Sequence, residues 1–193
     1  MLSPDKIRVL VIDNYDSFTY NLVHLVEQIT DQCTVVRNDA FDLSDIVPFS
    51  HIIIGPGPGL PQESGKVMEL IKQYSASKSI LGICLGMQAL LVSDGSEMLN
   101  LSSVKHGAQD EITLCQPSKI FSGIPKKIMV GRYHSWAFKS DVITQNYRVS
   151  AFSDEGYVMA VEHKTLPLFG IQFHPESIMT EHGLLMIQNW MRV

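Results

Sequence analysis

A cysteine flanked by glycines is the clearest chemical feature of this sequence. Cys84 lies between Gly82 and Gly86 in the order Gly-Ile-Cys-Leu-Gly, which is the spacing of a nucleophile elbow with cysteine in the place of serine. The apolar run at residues 80–83 predicts a short buried strand, and helix-forming residues follow the cysteine. The thiol is therefore expected on a tight strand-to-helix turn, where the glycines let the backbone crowd a strained central residue.

Such a position would activate the sulfur of Cys84. The N–H groups and the dipole at the start of the following helix favour the thiolate, which is the reactive form. The backbone N–H of Leu85 would face an oxygen that develops negative charge during attack. The alternative is a free core cysteine among packing glycines, the commoner role of an isolated cysteine.

A histidine and a glutamate after a later strand could be its partners. Residues 168–173 form an apolar run that leads into His174-Pro175-Glu176. Alternate residues of an extended chain face the same way, so His174 and Glu176 would project to one side, with Pro175 ending the strand pairing. This suits a general base and the carboxylate that orients it. The simpler alternative is a surface histidine near a solvated glutamate.

The loop at residues 55–61, Gly-Pro-Gly-Pro-Gly-Leu-Pro, could complete such a site. Its prolines make it a rigid turn, and its glycines could aim one N–H at the substrate oxygen. It does not fit a phosphate-binding loop, because Gly59 and Gly65-Lys66 are one residue too far apart for a Walker A motif and Val67 replaces its Ser or Thr. Nucleotide binding is not expected. The cysteine, the loop and the His-x-Glu pair together describe thiol acyl transfer to or from an amide or ester.

Alternating strands and helices predict the framework that positions these residues. Strands that are apolar on both faces and joined by helices form a parallel sheet covered on both sides, with the site at the carboxyl ends of its strands. Besides the nucleophile strand, the predicted strands are residues 7–13, 33–37 and 51–54, and the predicted helices are residues 18–30, capped by Asp16 or Ser17, and residues 62–74.

From about residue 97 the pattern changes to shorter β runs without long helices between them, so several are expected as antiparallel additions at the sheet edge. The predicted fold class is α/β, with a mainly parallel central sheet, helices on both faces and a smaller antiparallel β extension. The later strands are predicted at residues 111–115, 127–130, 147–152, 157–162 and 168–173, and an amphipathic helix at residues 181–191.

Composition narrows the class of protein further. The 193 residues fit one domain, 1–193, and a net charge of −5 without a Lys/Arg run predicts neither nucleic-acid nor membrane binding. The three cysteines are far apart and form no Cys-x-x-Cys, so neither a disulfide framework nor a zinc site is expected. The start of the chain does not match a signal peptide and no apolar run reaches membrane-spanning length, which predicts a cytoplasmic protein.

At this point the motifs resemble those of the class I, triad-type glutamine amidotransferases, whose fold is flavodoxin-like. The three signatures stand in order at residues 55–61, 82–88 and 172–177. Residues 12–21, 37–39 and 132–135 are similar to the glutaminase subunits that pair with chorismate-using synthases. The resemblance implies that Cys84 attacks the side-chain amide of L-glutamine, that His174 relays the proton to ammonia, and that Glu176 orients His174.

The resemblance also implies partners and a glutamine-binding set. Ammonia would pass to a synthase subunit, either anthranilate synthase component I or aminodeoxychorismate synthase component I, with Mg²⁺ in that partner and no cofactor in this chain. Residues 154–161 favour anthranilate synthase as the partner, and one subunit that serves both synthases is an open alternative. Residues 16–20 would dock the synthase. A stand-alone thiol hydrolase and a binding module that has lost the reaction are more distant alternatives. The implied glutamine and oxyanion contacts are Gly57, Gly59, Leu85, Gln88, His134 and Ser135.

The chain departs from the usual family pattern in three places. Met87 stands where many relatives have His, Ser93-Asp94-Gly95-Ser96 replaces an aromatic residue followed by two glycines, and Ala108 replaces a Lys. None of these changes involves Cys84 or its predicted partners.

Overall fold

A nine-stranded mixed sheet runs through the part of the protein that the computed structural model describes, residues 7–101 and 107–193. Its strand order is β2-β1-β3-β4-β11-β10-β9-β6-β7, and β5 pairs with β8 in a small second sheet. The strands are β1 Val9–Asp13, β2 Cys33–Arg37, β3 His51–Ile54, β4 Ser79–Ile83, β5 Leu99–Asn100, β6 Ala108–Leu114, β7 Lys127–Arg132, β8 Trp136–Ala137, β9 Tyr147–Ser153, β10 Val158–His163 and β11 Leu168–Ile171. The α-helices are α1 Thr19–Glu27, α2 Val67–Tyr74, α3 Leu85–Ser93 and α4 Gly183–Met191.

The nucleophile strand β4 lies inside the parallel half of the sheet. β2, β1, β3, β4 and β11 are parallel neighbours, so β4 is flanked by β3 and β11. β10, β9, β6 and β7 extend the sheet by antiparallel pairing. The predicted α/β class, with a parallel centre and an antiparallel extension, is confirmed.

Helices cover both faces of the parallel strands, as their apolar runs predict. Val9 and Val11 of β1 pack in one hydrophobic core with α1 and α4, whereas Leu10 and Ile12 pack in a second core with α2 and α3. Alternate residues of one strand therefore serve opposite faces. Among the described residues no helix is long and apolar enough to cross a membrane.

Several element boundaries differ from the sequence prediction. The helix predicted from residue 62 begins at Val67, because residues 61–63 form a 3₁₀ turn and Gly65 adopts a left-handed φ of 57°. The predicted capping of α1 by the side chain of Asp16 or Ser17 is wrong. Phe18 is the N-cap, and the Asp16 carboxylate instead accepts a hydrogen bond from the Phe18 N–H at 2.8 Å.

The last predicted strand and helix are also shorter than expected. β11 ends at Ile171, two residues before the predicted end at residue 173. α4 begins at Gly183, directly after His182, whose left-handed φ of 61° marks the turn into the helix.

Two glycines bring α3 unusually close to the sheet. A Cβ atom on Gly86 would overlap the carbonyl group of Ile54 in β3, and one on Gly82 would overlap the Gly86 carbonyl. Neither glycine has a left-handed φ. Glycine is therefore required at both positions by the close approach of helix and strand, not by backbone conformation. This contact sets the distance between α3 and the carboxyl edge of β3 and β4.

We expect Gly86→Ala to destabilise the fold by about 2 to 3 kcal/mol, because overpacking against a backbone carbonyl forces α3 away from the sheet. Chemical denaturation with circular dichroism would measure the free energy of unfolding. Ser93→Ala, at the far end of the same helix, is the matched control and should change stability by less than about 0.5 kcal/mol. Equal stabilities of wild type and Gly86→Ala would contradict the proposed steric requirement.

Candidate active site

Cys84 occupies a strained backbone position between β4 and α3. Its φ and ψ are 53° and −105°, in a region that few residues other than glycine adopt. The strain is held from both sides, since the Cys84 N–H donates to the carbonyl of Ile171 at 2.8 Å and the Cys84 carbonyl accepts from the N–H of Gln88 at 3.1 Å. The strand-to-helix elbow predicted from the glycine spacing is confirmed, and it presents the thiol at the carboxyl edge of the parallel strands.

The two residues predicted to supply oxyanion donors, Gly57 and Leu85, lie beside each other next to this turn. Leu85 is the first residue of α3, so no carbonyl lies four residues back within the helix for its N–H. Gly57 packs against it, since a Cβ atom on Gly57 would come within 3.1 Å of Leu85 Cδ2 and 2.5 Å of Asn14 Cβ. The glycine loop therefore reaches the elbow, as the sequence predicted.

Two asparagines fix the start of the glycine loop. Asn14 donates from Nδ2 to the carbonyl of Gly55 at 2.8 Å and accepts from Asn38 Nδ2 at 3.0 Å, and both side chains are buried. Farther along, Gly59 adopts a left-handed φ of 79°. The sequence motifs contained both asparagines but gave no reason to assign them this role, because the contact joins three separate segments of the chain.

His174 and Glu176 form a buried pair. His174 Nδ1 lies 2.7 Å from Glu176 Oε1, and their side chains are 3% and 0% exposed. The juxtaposition was predicted, but its structural reason was wrong. The two residues belong to a turn closed by the Ser177 N–H and the His174 carbonyl, and they follow β11 rather than extending it.

The electrostatic environment keeps the imidazole of His174 protonated at neutral pH. Burial alone lowers its pKa, but the neighbouring Cys84 thiol and the Glu176 carboxylate raise the pKa to about 10. With Nδ1 directed to Glu176, the buried Nε2 is the ring atom left to serve the thiol. An imidazolium beside the sulfur favours the thiolate.

Aromatic rings hold the imidazole in place from its other sides. The Tyr133 ring centroid lies 4.8 Å from that of His174, and the Phe18 centroid lies 6.3 Å away, both in edge-on geometry. Cys84 itself is only 5% exposed. The candidate triad is thus largely shielded from water, which strengthens its electrostatic interactions.

The side chains predicted to bind substrate meet at the Trp136 carbonyl. Gln88 Nε2 donates to Trp136 O at 3.3 Å, and His134 Nδ1 lies 2.9 Å from the same oxygen. His134 Nε2 accepts from Arg132 Nε at 3.1 Å, and burial together with the Arg132 charge lowers the pKa of His134 to about 4. Both ring nitrogens of this neutral histidine are occupied, so a contact of His134 with glutamine would have to come from its backbone.

Sequence reasoning missed two buried residues of the site, Gln172 and Arg132. Gln172 is fully buried and its Nε2 lies 3.6 Å from the sulfur of Cys84. Arg132 is 1% exposed and pairs with Asp110 at 2.7 Å and Glu155 at 3.0 Å. The signal for Gln172 was available, because it is the one polar side chain in the apolar run at residues 168–173.

The described residues contain no cluster of His, Cys, Asp and Glu that could hold a metal ion. The expectation that this chain carries no cofactor stays a prediction.

The fold and the geometry around Cys84 match what the sequence motifs predict for a class of protein, the α/β enzymes with a cysteine nucleophile. Residues 10–193 match the model of the family described as glutamine amidotransferase class-I, and the chain belongs to this family. The family resemblance drawn from the three motifs is confirmed.

Curated relatives cover nearly the whole chain. It is 41% identical to anthranilate synthase component 2 of Lactococcus lactis, over 94% of this chain and 92% of the relative. It is 38% identical to the aminodeoxychorismate/anthranilate synthase component 2 of Bacillus subtilis, over 94% of each. It is 37% identical to aminodeoxychorismate synthase component 2 of Escherichia coli, over 95% of this chain and 98% of the relative.

A solved structure supports the fold. A Thermoplasma acidophilum protein that is named for GMP synthase superimposes with a TM-score of 0.87 over 97% of this chain and 93% of its own, at 24% sequence identity.

Replacing the carboxylate of the buried pair should lower the pKa of His174. In Glu176→Gln the amide can still hold the ring but no longer stabilises its positive charge, so the pKa should fall from about 10 toward the ordinary value of 6.5. NMR titration of the imidazole would measure it. Glu69→Gln, an exposed carboxylate on α2, is the control and should leave the titration unchanged.

The same titration has a consequence for stability. Because the folded pKa lies above the unfolded one, the interaction stabilises the fold fully below pH 6.5 and is lost as pH rises toward 10. An unchanged His174 titration in Glu176→Gln would contradict the pairing.

Proposed function

We propose that this chain is the glutaminase subunit of a chorismate-using synthase and that it supplies ammonia through a Cys84-His174-Glu176 triad. The observation that supports this most directly is the strained, buried cysteine beside an imidazole that is held at 2.7 Å by a buried carboxylate. The names of the three curated relatives described above, each a component 2 of such a synthase, support the choice of reaction.

In the proposed reaction the Cys84 thiolate attacks the side-chain carboxamide carbon of L-glutamine. The N–H groups of Gly57 and Leu85 receive the negative charge on the carbonyl oxygen. The C–N bond breaks, the proton held on His174 Nε2 passes to the departing nitrogen, and ammonia leaves a thioester on Cys84. Water then loses a proton to His174 as its oxygen attacks the thioester carbon, releasing glutamate and restoring the thiolate and the imidazolium.

The orientation of Gln88 supports a specific contact with the substrate. Its NH₂ group faces two acceptors, the Trp136 carbonyl and Gln172 Oε1, each at 3.3 Å. The amide therefore has its oxygen, a hydrogen-bond acceptor, left for the substrate. In the proposed complex Gln88 binds the α-ammonium group of glutamine rather than the α-carboxylate. Gly59 and the backbone at residues 134–135 complete the binding set.

The surface around the site suits a protein partner. Ile178 is fully exposed, and Tyr20 is 72% exposed. Both lie close in sequence to site residues, Ile178 to Glu176 and Tyr20 to Phe18, whose ring packs on His174. Such apolar side chains would be covered by the partner synthase, which would also hold the Mg²⁺ needed for its own reaction. Docking there could transmit directly to the catalytic imidazole.

The relatives leave open which of two synthases is the partner, anthranilate synthase (the anthranilate branch) or aminodeoxychorismate synthase (the aminodeoxychorismate branch). Their names cover anthranilate synthase, aminodeoxychorismate synthase and one subunit for both. We place anthranilate synthase first because residues 154–161 resemble that branch, with aminodeoxychorismate synthase or dual use as the alternative. A stand-alone thiol hydrolase is the more distant alternative, in which glutamine would be neither hydrolysed nor able to protect Cys84 from alkylation.

Cys84→Ser should abolish glutamine-dependent synthesis by the complex and leave ammonia-dependent synthesis within about twofold of wild type. The reason is that external ammonia bypasses the thiol step and reaches the synthase directly. Both rates would be measured on the purified complex with chorismate and Mg²⁺. Equal loss of the two activities would contradict the assigned role of Cys84.

The branch itself is tested with the complex that co-purifies with the tagged chain from its own cells. Given chorismate, glutamine and Mg²⁺, formation of fluorescent anthranilate that Cys84→Ser removes would support the anthranilate branch. Glutamine consumption without anthranilate would favour the aminodeoxychorismate branch. No glutamine consumption would contradict the proposed function.

A further inference from the structure

The side chain of Gln172 joins the nucleophile to the proposed substrate-binding amide. It follows β11 directly and is fully buried between α3 and the strand ends. Its Nε2 lies 3.6 Å from Cys84 Sγ, and its Oε1 lies 3.3 Å from Gln88 Nε2. A buried amide in this place has to satisfy both its donor and its acceptor within the site.

The direction of this chain of hydrogen bonds is fixed at the Trp136 carbonyl. A carbonyl oxygen can only accept, so Gln88 must turn its NH₂ group toward it. The same NH₂ group reaches Gln172, whose oxygen must then face Gln88. As a result the NH₂ group of Gln172, and not its oxygen, points at the sulfur of Cys84.

A second set of hydrogen bonds, from Arg132 and His134, independently holds the Trp136 carbonyl in place. Arg132 can only donate, so His134 Nε2, 3.1 Å away, must accept. His134 then carries its proton on Nδ1 and donates to Trp136 O at 2.9 Å. The arginine is buried and held by Asp110 and Glu155, so the acceptor that directs Gln88 is itself fixed.

We propose that Gln172 is a further catalytic residue, which donates a hydrogen bond to the sulfur of Cys84 and is aimed by Gln88 and the Trp136 carbonyl. No proton is transferred. The bond is stronger to a thiolate than to a thiol or thioester, so it stabilises the sulfur before attack and again when the thioester breaks and the sulfur departs with its electron pair. This role rests on the proposed function, but the hydrogen bond to the thiol can be tested without glutamine.

The test is the rate of alkylation of Cys84 by iodoacetamide between pH 5 and 9 in the full-length protein, resolved by peptide mass spectrometry. Gln172→Met keeps the length of the side chain and removes the donor. We expect the half-maximal pH for Cys84 labelling to rise by about one unit, a tenfold shift in the thiol–thiolate equilibrium that is about the loss of one hydrogen bond to a charged group. Cys115, which is exposed, is the internal reference and should label at an unchanged rate.

Two further variants separate hydrogen bonding from packing. Gln172→Glu keeps the shape but replaces the NH₂ group with a second acceptor, so it should raise the half-maximal pH more than Gln172→Met. Gln88→Met removes the group that aims Gln172 and should give a smaller shift in the same direction. Gln73→Met, on the exposed face of α2, is the matched control and should give the wild-type profile.

The outcomes distinguish this inference from the proposed function. Identical labelling profiles of Cys84 in wild type, Gln172→Met and Gln172→Glu would overturn the inference, even if the complex hydrolyses glutamine. If Gln172→Met does not fold, Gln172→Glu and Gln88→Met decide it by the same profile. If the half-maximal pH of Cys84 labelling shifts as expected but the complex does not use glutamine, the hydrogen bond is supported and the proposed function is rejected.

Discussion

The close approach of α3 to the sheet is the constraint on which the rest of the site depends. It requires glycine at 82 and 86, since a side chain at either position would meet backbone atoms. Because the helix starts so near the end of β4, the residue between them has to adopt a strained conformation, and that residue is Cys84. The strain is offset by packing elsewhere, and it places the sulfur at a helix N-terminus facing the strand ends.

Around this sulfur the protein buries polar groups that are costly unless each finds a partner. The solution is a connected set that runs from Arg132 through His134, the Trp136 carbonyl and Gln88 to Gln172. A guanidinium can only donate hydrogen bonds and a carbonyl oxygen can only accept them. These two groups therefore set the donor and acceptor roles of the amides and the imidazole, which could do either. The histidine in this set stays neutral, whereas His174, paired with a carboxylate, stays charged, so one site keeps two histidines in opposite states.

The segments that shield the His174 ring from water also reach the surface of the protein. Phe18 and Tyr133 pack on the ring of His174, and the segments that carry Phe18 and Glu176 also present the exposed side chains of Tyr20 and Ile178. A partner that covers those side chains would act on the same segments that enclose the imidazole. This arrangement gives the proposed synthase a physical route to affect glutamine hydrolysis.

The sequence by itself determined the α/β fold, the elbow at Cys84 and the glutamine amidotransferase family. Each of these rests on local patterns, namely apolar periodicity, glycine spacing and short motifs. It also paired His174 with Glu176, although the pairing arises from a turn and not from an extended strand. Only the tertiary structure decided which atoms of Gln88 and His134 remain available to a substrate and that Gln172 lies against the thiol. The physical reason is that these contacts join residues up to 88 positions apart, and the direction of a buried hydrogen bond depends on every partner in the network at once.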